Sequence, residues 1–333
     1  MSISLNRRRF ISISASALAA TLVPGTSPKA NPESIMAPVR WQGIAMGARA
    51  ELILDHPDRR QAEAVLHEVT DEIRRLEKIF SLYDGSSALS RLNRSGSLDM
   101  PPLDLIRCLD DAAQISGITN GAFDITVQPL WDLYARHFAR SPGSITGPDA
   151  DEIATAAALV DFTAVQFDPQ RVSFGNPGMK VTLNGIAQGY ITDRVAELLK
   201  TRGFGNVLID LGETRGLGQK LDGSDWKVGI KSADGSANLL RKITLRDRAI
   251  ATSGGYGTRF TSGGIHHHLF DPKTARSSNR WQSVSVIAAD ATRADALSTA
   301  FSSMSEPDIR HLADDLKVSV IAVSTSATVL INV

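Results

Sequence analysis

Asp295 and Thr299 are four residues apart, so on a helix their oxygens lie on one face. A carboxylate and a hydroxyl placed that way suit Mg²⁺, a hard cation that keeps waters and phosphate oxygens as its other ligands. The same stretch also fits a capping arrangement, with Thr292 as N-cap and Asp295 at the third helical position. A second candidate is Gly185-Ile186-Ala187-Gln188-Gly189, which follows an apolar run and opens a helical pattern. Glycines there let backbone amides approach a phosphate, and the helix N-terminus favours its charge. The spacing is neither the dinucleotide fingerprint nor the P-loop. A helix entry that simply needs small residues reads the same way.

The third candidate is the run His266-His267-His268. Neighbours in extended chain point to opposite faces, so at most two of the three share one. An imidazole with an ordinary pKa of about 6.5 can act as a base at neutral pH. His268 is the candidate base, with Asp271, just ahead of Pro272, to orient it. Zinc would want ligands spread at helical or hairpin spacing with partners elsewhere. The alternative is a solvated turn with a satisfied histidine.

Several elements must position these groups. Residues 40–55 read as strand with a turn at Met46-Gly47, and 59–79 as an amphipathic helix with apolar residues at steps of three and four. Residues 81–93 read as a polar loop, 101–116 as a helix, and 118–133 as a segment punctuated by Gly, Asp and Pro. Strands are expected at 172–174, 179–183, 206–210, 226–230, 249–252, 284–289 and 318–323. Helices are expected at 189–201, stopped by Gly203, and at 292–304. Strands and helices mix without strict βαβ alternation, so the fold class is α+β.

Lys+Arg and Asp+Glu both number 36, which removes any case for binding by phosphate neutralisation along a nucleic acid. Hydrophobic residues make up 42%, enough for a core across 333 residues. The one cysteine, Cys108, excludes an internal disulfide and reads as a buried thiol. Residues 1–30 read as an export signal: Arg7-Arg8-Arg9-Phe10, a short weakly apolar run, then Pro24-Gly25 and small residues. The weakly hydrophobic run and the Arg-Arg-x-Phe order favour the twin-arginine route over an ordinary Sec signal, with export to the periplasm. Residues 31–333 then form the functional domain.

An ordered set of segments resembles the ApbE family of FAD:protein FMN transferases. It comprises Met46-Gly47, Phe80-Ser81-x-Tyr83, Ser87-x-Leu89-Ser90-x-Leu92-Asn93 and Phe123-Asp124-Ile125-Thr126. It continues through Gly185-x-Ala187-x-Gly189-Tyr190-x-x-Asp193, Thr252-Ser253-Gly254, His268-x-x-Asp271-Pro272 and Asp295-Ala296-Leu297-x-Thr299. The resemblance implies one large α+β domain of two lobes with FAD in the cleft between them, and Mg²⁺ at the pyrophosphate. The metal ligands would be Asp295, Thr299 and the backbone oxygen of Ala187. Tyr83 would lie against the isoalloxazine ring. Met46, Asp124, Thr126, Gly185, Gln188, Asp193, Thr252, Ser253, Gly254 and His268 would line or support the cofactor site. The implied reaction moves FMN from FAD to a threonine hydroxyl of an acceptor flavoprotein and releases AMP, with His268 taking the proton.

Three positions depart from the family pattern. Gln188 stands where a lysine is common, Gly212-Glu213-Thr214-Arg215 replaces a Gly-Gly-Asp turn, and Ala275 replaces a glycine. The Gly-Glu-Thr-Arg variant is similar to the NosX branch, which implies a NosR-type acceptor in nitrous-oxide respiration. Two other functions fit the same residues: a flavin-binding or assembly protein with little catalysis, which Gln188 favours, and hydrolysis of FAD to FMN and AMP.

Overall fold

The computed structural model describes residues 37–232 and 238–333; the export signal read at 1–30 lies outside the described residues. Eight antiparallel strands form the main sheet. In spatial order they are β1 (Val39–Ala45), β2 (Ala48–Leu54), β6 (Val207–Asp210), β7 (Thr214–Leu217), β10 (Arg248–Ser253), β13 (Ser283–Ala288), β14 (Ser319–Val323) and β15 (Thr328–Ile331). Three short strands, β3 (Ser97–Asp99), β4 (Val165–Phe167) and β5 (Arg171–Phe174), make a separate sheet. The hairpin of β8 (Trp226–Lys231) and β9 (Leu239–Leu245) and the two-residue strands β11 (Phe270–Asp271) and β12 (Arg276–Ser277) complete the β structure.

Eight helices accompany the sheets among the described residues. They are α1 (Arg59–Phe80), α2 (Ala88–Ser95), α3 (Leu103–Ile118), α4 (Gln128–Arg140), α5 (Ala150–Ala157), α6 (Ala187–Thr201), α7 (Ala291–Phe301) and α8 (Glu306–Leu316). The strand periodicity of two splits the sheet residues between two cores. Leu52, Ile209, Ala251 and Val286 face the helix side with Leu76, Val195 and Leu297. Ile53, Leu208, Ile250 and Ile287 face the β8–β9 hairpin with Trp226 and Leu245. A third cluster, Leu130, Tyr134, Phe138 and Phe270, joins α4 and α5 to the segment that carries the histidine run. Mixed helix and sheet make this an α+β fold, as expected from the element pattern.

The long helix forms for the reason its sequence gives. Ala62, Val65, Val69, Ile73, Leu76 and Ile79 make one buried stripe, and Asp58 caps the start by accepting from Gln61 N at 3.1 Å. Elsewhere the structure corrects the reading. Residues 179–183 belong to no strand. Val181 instead donates its N–H to Asn93 Oδ1 and accepts from Asn93 Nδ2, both at 2.7 Å, so a side chain replaces a ladder. The supposed loop at 81–93 contains α2, capped by Ser87 and ended by Gly96 in the left-handed region. The punctuated segment at 118–133 contains the start of α4, with Pro129 in its first turn. Helix α7 is capped by Asp290, which accepts from Arg293 N at 2.7 Å, and it ends at Phe301 rather than residue 304. Thr292 is therefore not the N-cap, and the capping reading of Asp295 falls.

Cys108 is buried, and burial pushes its thiol well above the ordinary range. Among the described residues no helix is long and apolar enough to cross a membrane.

Candidate active site

The N-terminal half of α6 and the length of α7 lie against each other at the edge of β10, and that crossing builds the site. Gly189 permits the crossing. A Cβ there would stand 2.7 Å from the Ala291 carbonyl carbon and 2.8 Å from Thr292 Cα. Both are backbone atoms that a side chain cannot push aside cheaply. Gly189→Ala is therefore expected to force the helices apart and cost about 1–3 kcal/mol, the usual range for overpacking. Urea unfolding of the two proteins measures this, and equal midpoints would show that the contact is soft.

The crossing brings the expected metal residues together. Gly189 N donates to Asp295 Oδ2 at 3.0 Å. A Cβ on Gly185 would meet Thr299 Oγ1 at 2.9 Å, so this glycine leaves room for the hydroxyl. Ser253, at the end of β10, reaches Thr299 Oγ1 at 3.2 Å and Ser298 Oγ at 2.7 Å, while Thr252 meets Ser285 Oγ at 2.8 Å. Ala187 is the first residue of α6 and is fully buried. Gly254 turns the chain tightly beside Gln282, whose carbonyl oxygen would stand 3.0 Å from an added Cβ.

Asp295 is 4% exposed. Burial lifts its carboxyl to about 7; the Gly189 N–H pulls the other way, and the Asp193 carboxylate adds to the rise. A buried carboxyl with one N–H donor and no ion pair among the described residues is short of positive charge. That shortage fits a divalent cation. The side-chain donors on α7 are both hard oxygens, one carboxylate and one hydroxyl, and Ala187 opens α6. Among the described residues no group of three or more His, Cys, Asp and Glu stands close enough to hold a metal by itself. The site thus fits a cation that draws the rest of its ligands from water and a phosphate substrate, as Mg²⁺ does.

Asp193 acts as a support. Its carboxylate accepts from Ala291 N at 2.9 Å, Thr292 N at 2.8 Å and Thr292 Oγ1 at 2.6 Å, which pins the start of α7. Gln188 and the Gly-Glu-Thr-Arg turn, two departures that look independent in sequence, are one contact. Gly212, at φ +107°, lies so close to the Gln188 amide that a Cβ would stand 2.8 Å from its Cδ. A longer Lys side chain would have to lie elsewhere. The third departure is also conformational: Ala275 has φ 55°, in the left-handed region where glycine is at ease.

The three histidines have three different surroundings. His266 packs among Tyr134 and Phe138, with ring centroids at 5.8 and 5.3 Å. His267 is buried against Gly255 and joined to Ser277 through its backbone. His268 meets Thr258 N and Thr258 O through Nδ1, each at 3.2 Å. Burial, reinforced by His267, lowers the His268 pKa to about 4, with the Thr258 backbone opposing. The ring is therefore neutral at pH 7. When Nδ1–H donates to Thr258 O, the Nε2 lone pair is free to accept a proton.

Asp271 does not orient this ring. Its carboxylate accepts from Lys273 N at 2.9 Å and its carbonyl from Ala275 N, so it shapes the β11–β12 turn; Thr258 takes the orienting role. Asp124 and Thr126 have partners within the fold. Asp124 Oδ1 accepts from Thr126 N at 2.7 Å and from Thr126 Oγ1, while Thr126 Oγ1 accepts from Asp161 N at 2.8 Å. Thr126 is fully buried and Asp124 Oδ2 accepts from Phe162 N at 3.2 Å, so this pair ties residues 124–127 to 161–162. Met46 sits in the β1–β2 turn at φ 48°, its N–H donated to Glu77 Oε1 at 2.6 Å. Tyr83 is 65% exposed on the turn after α1.

Residue types alone did not single out Glu213. It is buried beside Asp295 and Asp210, and burial followed by those two charges raises its carboxyl well above the ordinary range, against the Thr252 backbone. The only signal in the sequence is a charged residue inside a β-hairpin turn. Ser298, the partner of Ser253, was equally silent.

Comparison with known proteins fits this geometry. A model of the ApbE family matches residues 46–323. An FAD:protein FMN transferase of Vibrio cholerae serotype O1 is 30% identical over 252 residues, 74% of this chain and 73% of that protein. One from Escherichia coli K12 is 27% identical over 266 residues, 78% of this chain and 76% of that protein. The solved flavin transferase ApbE from Vibrio cholerae superposes with a TM-score of 0.77 at 26% identity, covering 88% of this chain and 97% of that one. The apo flavinyl transferase ApbE of Pseudomonas stutzeri gives 0.76 at 26% identity, with 88% and 94% covered. With the family model spanning residues 46–323, from the β1–β2 turn to β14, and the same fold recurring in solved relatives, the chain belongs to the ApbE family.

Proposed function

We propose that the protein transfers the FMN half of FAD to a threonine hydroxyl of an acceptor flavoprotein, releasing AMP. The observation that carries this reading is the convergence of Asp295, Thr299, Gly185 and Ser253 at one helix crossing, with a neutral histidine on the neighbouring segment. Asp295, Thr299 and the Ala187 carbonyl would hold Mg²⁺, which when bound neutralises charge on the pyrophosphate.

The residues of the chain supply the rest. Thr252, Ser253 and Gly254 end β10 beside the metal residues and line the phosphate and flavin region. His268 accepts the threonine proton at Nε2 while Thr258 O holds Nδ1–H, so the hydroxyl oxygen can attack the FMN-side phosphorus. The P–O bond to AMP then breaks, and AMP leaves with the bonding pair. Catalysis of this kind is positioning and charge neutralisation. The twin-arginine-like leader and the Gly212-Glu213-Thr214-Arg215 turn support a periplasmic enzyme serving a NosR-type acceptor.

The test incubates the mature protein with FAD, Mg²⁺ and acceptor domains carrying a threonine motif, one of them NosR-type, then denatures and images flavin fluorescence. A fluorescent acceptor band that disappears with EDTA is the expected result. A dark band from folded, FAD-loaded protein with every acceptor would favour a binding or assembly role, which the uncharged Gln188 would then explain. FMN and AMP formed from FAD alone would instead mark hydrolysis.

A further inference from the structure

Arg215 belongs to the turn that departs from the family pattern, and the proposed chemistry gives it no task. Its surroundings do. It lies on β7, its side chain 15% exposed, in an ion pair with Asp193 Oδ1. Asp193 is the residue that pins Ala291 and Thr292 at the start of α7. We propose that Arg215 is a positioning residue for the metal-bearing helix: it fixes Asp193, Asp193 fixes the first turn of α7, and α7 carries Asp295 and Thr299. The inference rests on the reading of Asp295 and Thr299 as metal ligands.

The electrostatics explain why a cation is needed there. Asp193 shares its neighbourhood with Asp111, Asp290 and Asp295, and its charge raises the carboxyls of all three. Arg293 faces Asp290 and Asp111 from α7 itself. Arg215, on β7, reaches the crowd from the sheet side. Without it, a partly buried carboxylate among like charges is stabilised only by the α7 N–H groups and the Thr292 hydroxyl. It would swing toward water, and that removes acceptors from the start of α7. Asp295 lies one turn further on, so its oxygens would shift relative to the Ala187 carbonyl on α6. The planar guanidinium also fixes direction in a way that an ammonium does not.

The experiment measures Mn²⁺ binding by electron paramagnetic resonance, with FAD present, in the full mature chain. Wild type is compared with R215Q, R215K, D193N, the double variant R215Q/D193N and D295N. I243A, in the core on the far side of the sheet, reports on loss of stability alone. Residues that orient metal ligands typically change affinity by about ten- to a hundredfold. R215Q is expected to weaken Mn²⁺ by that range and R215K by less. The double variant should bind no worse than D193N, because the two residues act in series. I243A should lose thermal stability and keep wild-type affinity. Wild-type affinity in R215Q, with D295N impaired, would overturn the role of Arg215 and leave the metal assignment standing. Wild-type affinity in D295N would overturn the metal assignment and this inference with it.

Discussion

Asp295→Asn is expected to lower FMN transfer roughly a thousandfold. The substitution removes the one buried carboxylate of the proposed cation site, and a metal that neutralises transition-state charge contributes several kcal/mol, each about 1.4 kcal/mol being tenfold in rate. The Asn side chain keeps the size and can still accept from Gly189 N, so the helix crossing should survive. The measurement is the initial rate of acceptor flavinylation over a Mg²⁺ titration. Full activity of the Asn protein at ordinary Mg²⁺ would remove Asp295 from the metal site.

The same residue predicts a pH dependence whose sign can be fixed. A carboxyl that titrates near 4 when unfolded and at about 7 when folded binds more protons in the native state between those values. Its contribution to stability is therefore present at low pH and is lost as pH rises through about 7. Bound Mg²⁺ favours the ionised form, so the Mg²⁺-induced rise in Tm should be larger at pH 8 than at pH 5.5. His267 and His268, both lowered to about 4, act in the opposite direction: they stabilise above the ordinary histidine range and lose that contribution as pH falls. For that reason the test reads the difference with and without Mg²⁺, not the Tm alone. Equal increments at the two pH values would contradict a carboxylate held neutral by burial.

His268→Ala is the second large effect. General base catalysis contributes about a hundred- to ten-thousandfold, and transfer should fall by that amount. FAD affinity should persist, because the ring is held through Thr258 and its departure leaves the α6–α7 crossing intact. Asp271→Asn should have a much smaller effect on transfer, since that carboxylate accepts from Lys273 N and does not touch the ring. Flavinylation rates with FAD binding measured by fluorescence separate the two. Transfer by the His268→Ala protein at the wild-type rate would leave the reaction without this base, and water or another group would have to take the proton.

Local sequence determined a good deal here. The stripe along α1, the alternation in β8 and the helix that begins after Gly185 follow from spacing, because apolar residues at fixed steps must share a face. The four-residue spacing of Asp295 and Thr299 put both on one face before any fold was known. Short elements such as α2 and α5 were not legible, because eight residues give a periodicity too little length to rise above capping and turn signals. Tertiary structure alone decided which polar groups were free for chemistry. Thr126 carries the same hydroxyl as Thr299, yet Asp161 N, 35 residues along the chain and close in space, donates to it, whereas Asp124 and Asp271 accept from residues only two positions on. Gln188 and Gly212 became one contact, Glu213 was buried beside Asp295, and Arg215 met Asp193 only when β7 was laid against α6. Hydrogen bonding and burial depend on distance in space, and a spacing rule sees only distance along the chain.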